Sequence, residues 1–92
     1  MSMFSFNVGE NEFHTVGFEF SRLTGRYKAT VDGLVVIKGT QWIIGSKEIR
    51  FELGGKEKHK ILIMWKLKYF GTLRKIEVRV VVDEKLQGDY TL

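Results

Sequence analysis

His59-Lys-Ile-Leu-Ile-Met-Trp-Lys-Leu-Lys-Tyr-Phe70 is the stretch on which the fold turns. Its apolar residues Ile61, Ile63, Trp65, Leu67 and Tyr69 recur at every second position, the period of a pleated strand and not of a helix. Arg74 to Val82 repeats the pattern, with Ile76, Val78, Val80 and Val82 on one side. Between the two arms, Gly71-Thr72 is a short turn of the kind that joins antiparallel neighbours. Residues 59–82 therefore read as a long β-hairpin with about ten residues per arm.

The same period runs through most of the chain. Phe4, Phe6 and Val8 alternate with small or polar residues, as do Val16, Phe18 and Phe20, and then Ile49, Phe51 and Leu53. Tyr27 to Val31, Leu34 to Ile37 and Trp42 to Ile44 supply further strands, while helix has almost no support. Asp32-Gly33 between apolar runs predicts a type I′ turn, and Gly25 within Ser21 to Arg26 suits a turn that needs positive φ. Proline is absent and the glycines are scattered, so no linker divides the 92 residues, and 1–92 reads as a single all-β domain.

A repeat is visible at a constant offset. Phe6-Asn-Val-Gly9-Glu-Asn-Glu12-Phe-His14-Thr-Val16-Gly-Phe18-Glu-Phe20 lies over Phe51-Glu-Leu-Gly54-Gly-Lys-Glu57-Lys-His59-Lys-Ile61-Leu-Ile63-Met-Trp65. Phe, Gly, Glu and His coincide, and Val31-Asp32 corresponds loosely to Val82-Asp83, so the halves are about 6–33 and 51–83. Two similar strand sets, each apolar on one face, predict an antiparallel β-sandwich of about eight strands. A small closed β-barrel buries the same residues and stays as the alternative.

Composition narrows the chemistry. Without cysteine there is no disulfide framework, thiolate metal site or cysteine nucleophile. Ser5, Ser21 and Ser46 sit in no Gly-x-Ser-x-Gly context. Gly54-Gly55-Lys56 is followed by Glu57 and a strand, which a phosphate-binding loop does not allow. No apolar run reaches the ~18 residues of a membrane-spanning helix, and Met1 to Phe6 lacks the marks of a secretory leader, so the expected location is cytoplasmic. Glu12 and His14, like Glu57 and His59, share a strand face at a spacing of two. If the two pairs met they would supply four zinc ligands. Histidines held structurally at strand entrances are the expected reading, with no metal and no other cofactor.

Charge is unevenly placed. Of the formal +4, residues 56–79 carry eight basic and two acidic side chains, whereas residues 1–55 are balanced. With Ile61, Ile63, Trp65 and Leu67 inward, the outward face of the hairpin becomes Lys60, Leu62, Met64, Lys66 and Lys68, joined by Lys75, Glu77, Arg79 and Val81. Leu62, Met64 and Val81 form an apolar spot among five cations, a composition suited to binding a protein partner or a second copy. Nucleic acid is the alternative, through Lys60, Lys66, Lys68, Lys75 and Arg79, although Trp65 and Tyr69 then fall on the wrong side to stack bases. A register error of one residue exchanges the two lists. A homodimer through the long hairpin or the strand edges is a further expectation.

His14-Thr-Val-Gly-Phe-Glu-Phe, then Thr24-Gly25-Arg26-Tyr-Lys-Ala-Thr-Val31-Asp32-Gly33 and Trp42, resemble the Fas apoptotic inhibitory molecule family. In that family a His and alternating apolar residues lead through a Gly-basic turn to a strand ending Val-Asp-Gly. Phe51 to Gln87 is similar in layout, so the resemblance covers residues 4–90. It implies one of that family's two β-sandwich domains and a noncatalytic interaction or protective role, without enzyme activity or cofactor. The single domain and the longer second hairpin are departures.

Overall fold

The computed structural model describes residues 2–21, 24–41, 45–70 and 73–91, and they are strands and turns without a helix. Among the described residues there are eight strands: β1 (Ser2–Val8), β2 (His14–Phe20), β3 (Arg26–Val31), β4 (Leu34–Thr40), β5 (Gly45–Leu53), β6 (His59–Phe70), β7 (Leu73–Val82) and β8 (Lys85–Thr91). They form two four-stranded sheets, β1-β2-β3-β4 and β5-β6-β7-β8, and the registers described for them are antiparallel. This is the all-β class expected, with the strand number of an eight-stranded sandwich. The Gly71-Thr72 turn and Trp42–Ile44 lie outside the described residues. The chain divides into two compact units, Met1–Trp42 with Leu53–Lys58, and Ile43–Glu52 with His59–Leu92. No helix among the described residues is long and apolar enough to cross a membrane.

Alternation translates directly into burial. In the first sheet Phe6, Val8, Val16, Phe18, Phe20, Tyr27 and Ala29 are buried, and the register sets Phe6 opposite Val16 and Phe20 opposite Tyr27. Phe4 adds its ring to that face, 5.6 Å from the ring of Phe18 between centroids. In the second sheet the buried face consists of Ile49, Leu53, Ile61, Ile63, Trp65, Leu67, Ile76, Val78 and Val80. Cross-strand pairs Ile63↔Val80, Trp65↔Val78 and Leu67↔Ile76 stack these side chains along the hairpin. Trp65 is 2% exposed, so the inward parity is Ile61, Ile63, Trp65 and Leu67.

The turns are built for their hands. Asp32 and Gly33 have φ of 51° and 85°, the two positive angles of a type I′ turn, and Gly25 has 72°. Asp83 and Glu84 take the corresponding positions between β7 and β8 with φ of 51° and 68°, although neither is glycine. Each of these hairpins carries a bulge. Ala29↔Ile37 is followed by Thr30↔Val35, which leaves Val36 without an opposite residue. Val80↔Gly88 followed by Val81↔Leu86 does the same to Gln87.

Candidate functional site

Three arrangements bring chemically active side chains together. The first is a His–Asp clasp. Asp32 stands one step beyond the Val16↔Val31 pair, opposite Thr15, and its backbone N–H donates to the Thr15 carbonyl at 2.8 Å. In a regular ladder the Thr15 N–H would donate back to the Asp32 carbonyl. Here it donates to Asp32 Oδ1 at 2.9 Å, so the side chain takes over where the backbone turns away at positive φ. The other oxygen, Oδ2, accepts from His14 Nδ1 at 2.6 Å. In the second unit, Asp83 accepts from the Lys60 N–H at 2.8 Å and from His59 Nδ1 at 2.5 Å, and its own N–H donates to the Lys60 carbonyl at 2.9 Å. The two clasps share one geometry.

Electrostatics follow from these bonds. The Thr15 amide, and after it His14, hold the Asp32 carboxyl below its ordinary range. The Lys60 amide and His59 do the same for Asp83. His14 is raised, chiefly by its bond to Asp32 and then by Glu12. Its Nε2 lies 3.1 Å from Glu12 Oε2, an ion-pair distance without the alignment of a hydrogen bond. Carboxylates thus lie at both ring nitrogens of His14 and hold it as a strut. The same opposition keeps Glu12 and Asp32 from converging on one ion. Among the described residues no group of three or more His, Asp or Glu side chains is arranged to hold a metal.

The second arrangement is an exchange of carboxylates between two loops of the first unit. Glu57 accepts from the backbone N–H groups of Glu10, Asn11 and Glu12, at 3.1, 3.0 and 2.8 Å. Glu12 in return accepts from the Gly55 N–H at 2.8 Å, which lowers the pKa of its carboxyl. Gly9 and Gly54 open these loops with φ of 121° and 104°, and a Cβ on either would run into the carbonyl oxygen of Glu12 or Glu57. Loop 9–13 thus presents successive amides to one carboxylate, as a nest does for an anion.

The third is the outward face of the second sheet. Lys60, Lys66, Lys75 and Arg79 are exposed, while Leu62, Met64, Lys68 and Val81 are half-buried. All eight lie on one face, with Leu62↔Val81, Met64↔Arg79 and Lys68↔Lys75 directly opposed. The sequence reading had the apolar spot more open than it is. Of the acids that share the face, parity alone places Glu77 there, whereas Asp89 comes from β8. Lys68 Nζ is 3.0 Å from Glu77 Oε2, and Arg79 Nε donates to Asp89 Oδ1 at 3.0 Å. Asp89 could have been placed by the alternation of β8, once Asp83-Glu84 was taken as the preceding turn. A groove of about 790 Å³ opens here, lined by Ser46 and Glu48 of β5, Met64 and Lys66 of β6, Glu77 and Arg79 of β7, and Asp89 of β8. Its rim is of mixed sign.

Comparison with protein-family models, with curated proteins and with solved structures finds no match for this chain.

Proposed function

We propose that the chain is a noncatalytic protein-interaction module that docks through the outward face of hairpin 59–82. One observation carries the reading: Leu62, Met64 and Val81 keep part of their apolar surface open on this face, and the groove at Met64 is lined by Lys66 and Arg79 together with Glu48, Glu77 and Asp89. Open apolar side chains beside polar groups of both signs suit a protein contact. A phosphate backbone asks instead for cations alone, and here Lys68 and Arg79 are already paired with acids. The noncatalytic part is supported by His14, whose two ring nitrogens both face carboxylates. The role agrees with the one implied by the resemblance to the Fas apoptotic inhibitory molecule family, and a cytoplasmic setting goes with it.

We also read the halves as duplicates. Support comes from the recurring Asp32 and Asp83 clasps and from the positive φ of Gly9 and Gly54 at the same offset as the sequence repeat.

The docking reading is tested with Leu62→Asp combined with Met64→Asp. Both side chains point away from the buried face, so circular dichroism keeps the strand spectrum, while the half-buried positions lower the urea midpoint without unfolding the chain. Affinity capture from the source cells then loses the protein partner seen with the parent chain. A partner retained by the double variant overturns the proposal. So does a capture that is only nucleic acid, recognised by its removal with nuclease and by steep loss between about 50 and 200 mM salt.

A further inference from the structure

The two clasps differ in one respect that bears on covalent chemistry. Asp83 is followed by Glu84, whereas Asp32 is followed by Gly33, and no other aspartate or asparagine in the chain precedes a glycine. Glycine suits the place because the turn holds it at a φ of 85°. The same lack of a side chain leaves its amide nitrogen open to the carboxyl carbon of the preceding aspartate, and the two can close a five-membered ring. Nothing nearby hinders the approach: even a Cβ added at Gly33 would meet no atom within 4 Å. The Asp32 side chain is 50% exposed, so water reaches it as well.

We propose that Asp32-Gly33 is a site of spontaneous covalent modification, at which Asp32 isomerises to isoaspartate, and that the bonds from Thr15 and His14 hold the reaction off while the clasp is closed. The step balances without a co-reactant. The Gly33 nitrogen bonds to Asp32 Cγ, one carboxyl oxygen leaves as water with the acid proton and the amide proton, and a cyclic imide remains. Water then opens the imide. Attack at Cγ restores aspartate, whereas attack at the main-chain carbonyl carbon leaves the chain running through Cβ and Cγ with that carbon as a free carboxylate. The clasp opposes closure directly. Oδ1 accepts from the Thr15 N–H at 2.9 Å and Oδ2 from His14 Nδ1 at 2.6 Å. One of these oxygens must leave and the other must turn with Cγ toward Gly33, so both bonds are given up before the ring forms. The same donors keep the carboxyl ionised, and the species that closes is the neutral acid. The product does not refasten, because an extra main-chain atom does not fit the two-residue turn that pairs Val31 with Leu34.

The test incubates the full chain for weeks in mildly acidic buffer, with and without urea. Isoaspartate is measured by enzymatic methylation with a protein isoaspartate methyltransferase and located by peptide mapping. In urea it is expected at Asp32 and not at Asp83. In buffer it is expected at least about tenfold more slowly, as for a group that reacts only after a local opening. His14→Ala removes one bond of the clasp and should speed the folded reaction about tenfold, the ratio that one charge-assisted hydrogen bond supports. His14→Asn, whose amide nitrogen can stand in for Nδ1, should return the rate toward that of the parent protein. Phe20→Leu weakens the buried far end of β2 with the clasp intact and should leave the rate unchanged. Absence of isoaspartate at Asp32 in urea overturns the proposal. A folded rate equal to the urea rate does so too, and that comparison needs no variant should His14→Ala fold poorly. Equal acceleration by Phe20→Leu and His14→Ala also overturns it, by assigning the reaction to global unfolding. The inference stands apart from the docking reading, since it concerns the first unit and needs no partner.

Discussion

At Asp32, Asp83, Glu12 and His14, one proton more or less changes what a strand end can hold, and the sign can be worked out from each group. Asp32, Asp83 and Glu12 have lowered pKa values, from ordinary values of 3.8, 3.8 and 4.5. Their bonds stabilise the fold above those values, and that contribution is lost as pH falls through the lower folded values. His14 is raised from 6.5, so its contribution is complete below 6.5 and is lost as pH rises through the folded value. Stability from these groups therefore peaks between 4.5 and 6.5 and declines on both sides. Urea midpoints across pH are the measurement. In Asp32→Asn the alkaline decline becomes shallower, because Asp32 is the main cause of the His14 shift. An alkaline limb identical to that of the parent protein would sink this assignment. The sequence disclosed the histidines and their spacing from Glu12 and Glu57. It also aligned Asp32 with Asp83, yet nothing local linked either to a histidine, because the bond spans 18 residues in one case and 24 in the other.

Strands were the legible elements and loops were not. Alternation in β2, β6 and β7 decided both their extent and their buried sides, since a pleat fixes the period at two and water decides which side is apolar. The outward face of the hairpin followed from the same parity, whereas Glu48 and Asp89 line its groove from neighbouring strands whose order had to be seen. The loop between β1 and β2 is different in kind. Its shape is set by Glu57, 45 to 47 residues away, bonding three successive amides. Replacing that carboxylate exposes those N–H groups together. Glu57→Ala is expected to cost about 1–2 kcal/mol in urea unfolding, in line with charge-assisted bonds that are partly screened. It should also speed hydrogen exchange at Glu10, Asn11 and Glu12 ahead of the β2 ladder. Unchanged exchange at these amides would show that the loop holds its shape without Glu57.

For the whole molecule, the strand order within each sheet is the order of the chain, β1-β2-β3-β4 and β5-β6-β7-β8. Each ladder can therefore grow from the turn that joins its two strands, and the loop closed at each step is short. Speed is the consequence. Proteins whose contacts lie close in sequence cross their folding barrier sooner than those pairing distant segments, so refolding from urea should be quick for an all-strand chain. The turn at Asp32-Gly33 gives a handle on it. A methyl group at Gly33 would meet nothing within 4 Å, so Gly33→Ala costs only the strain of a positive φ, about 1 kcal/mol. If that hairpin closes before the barrier top, stopped-flow measurements will show the cost almost wholly as a slower refolding arm, with the unfolding arm unmoved. A slope confined to unfolding would mean that the chain begins elsewhere, at the longer hairpin of β6 and β7.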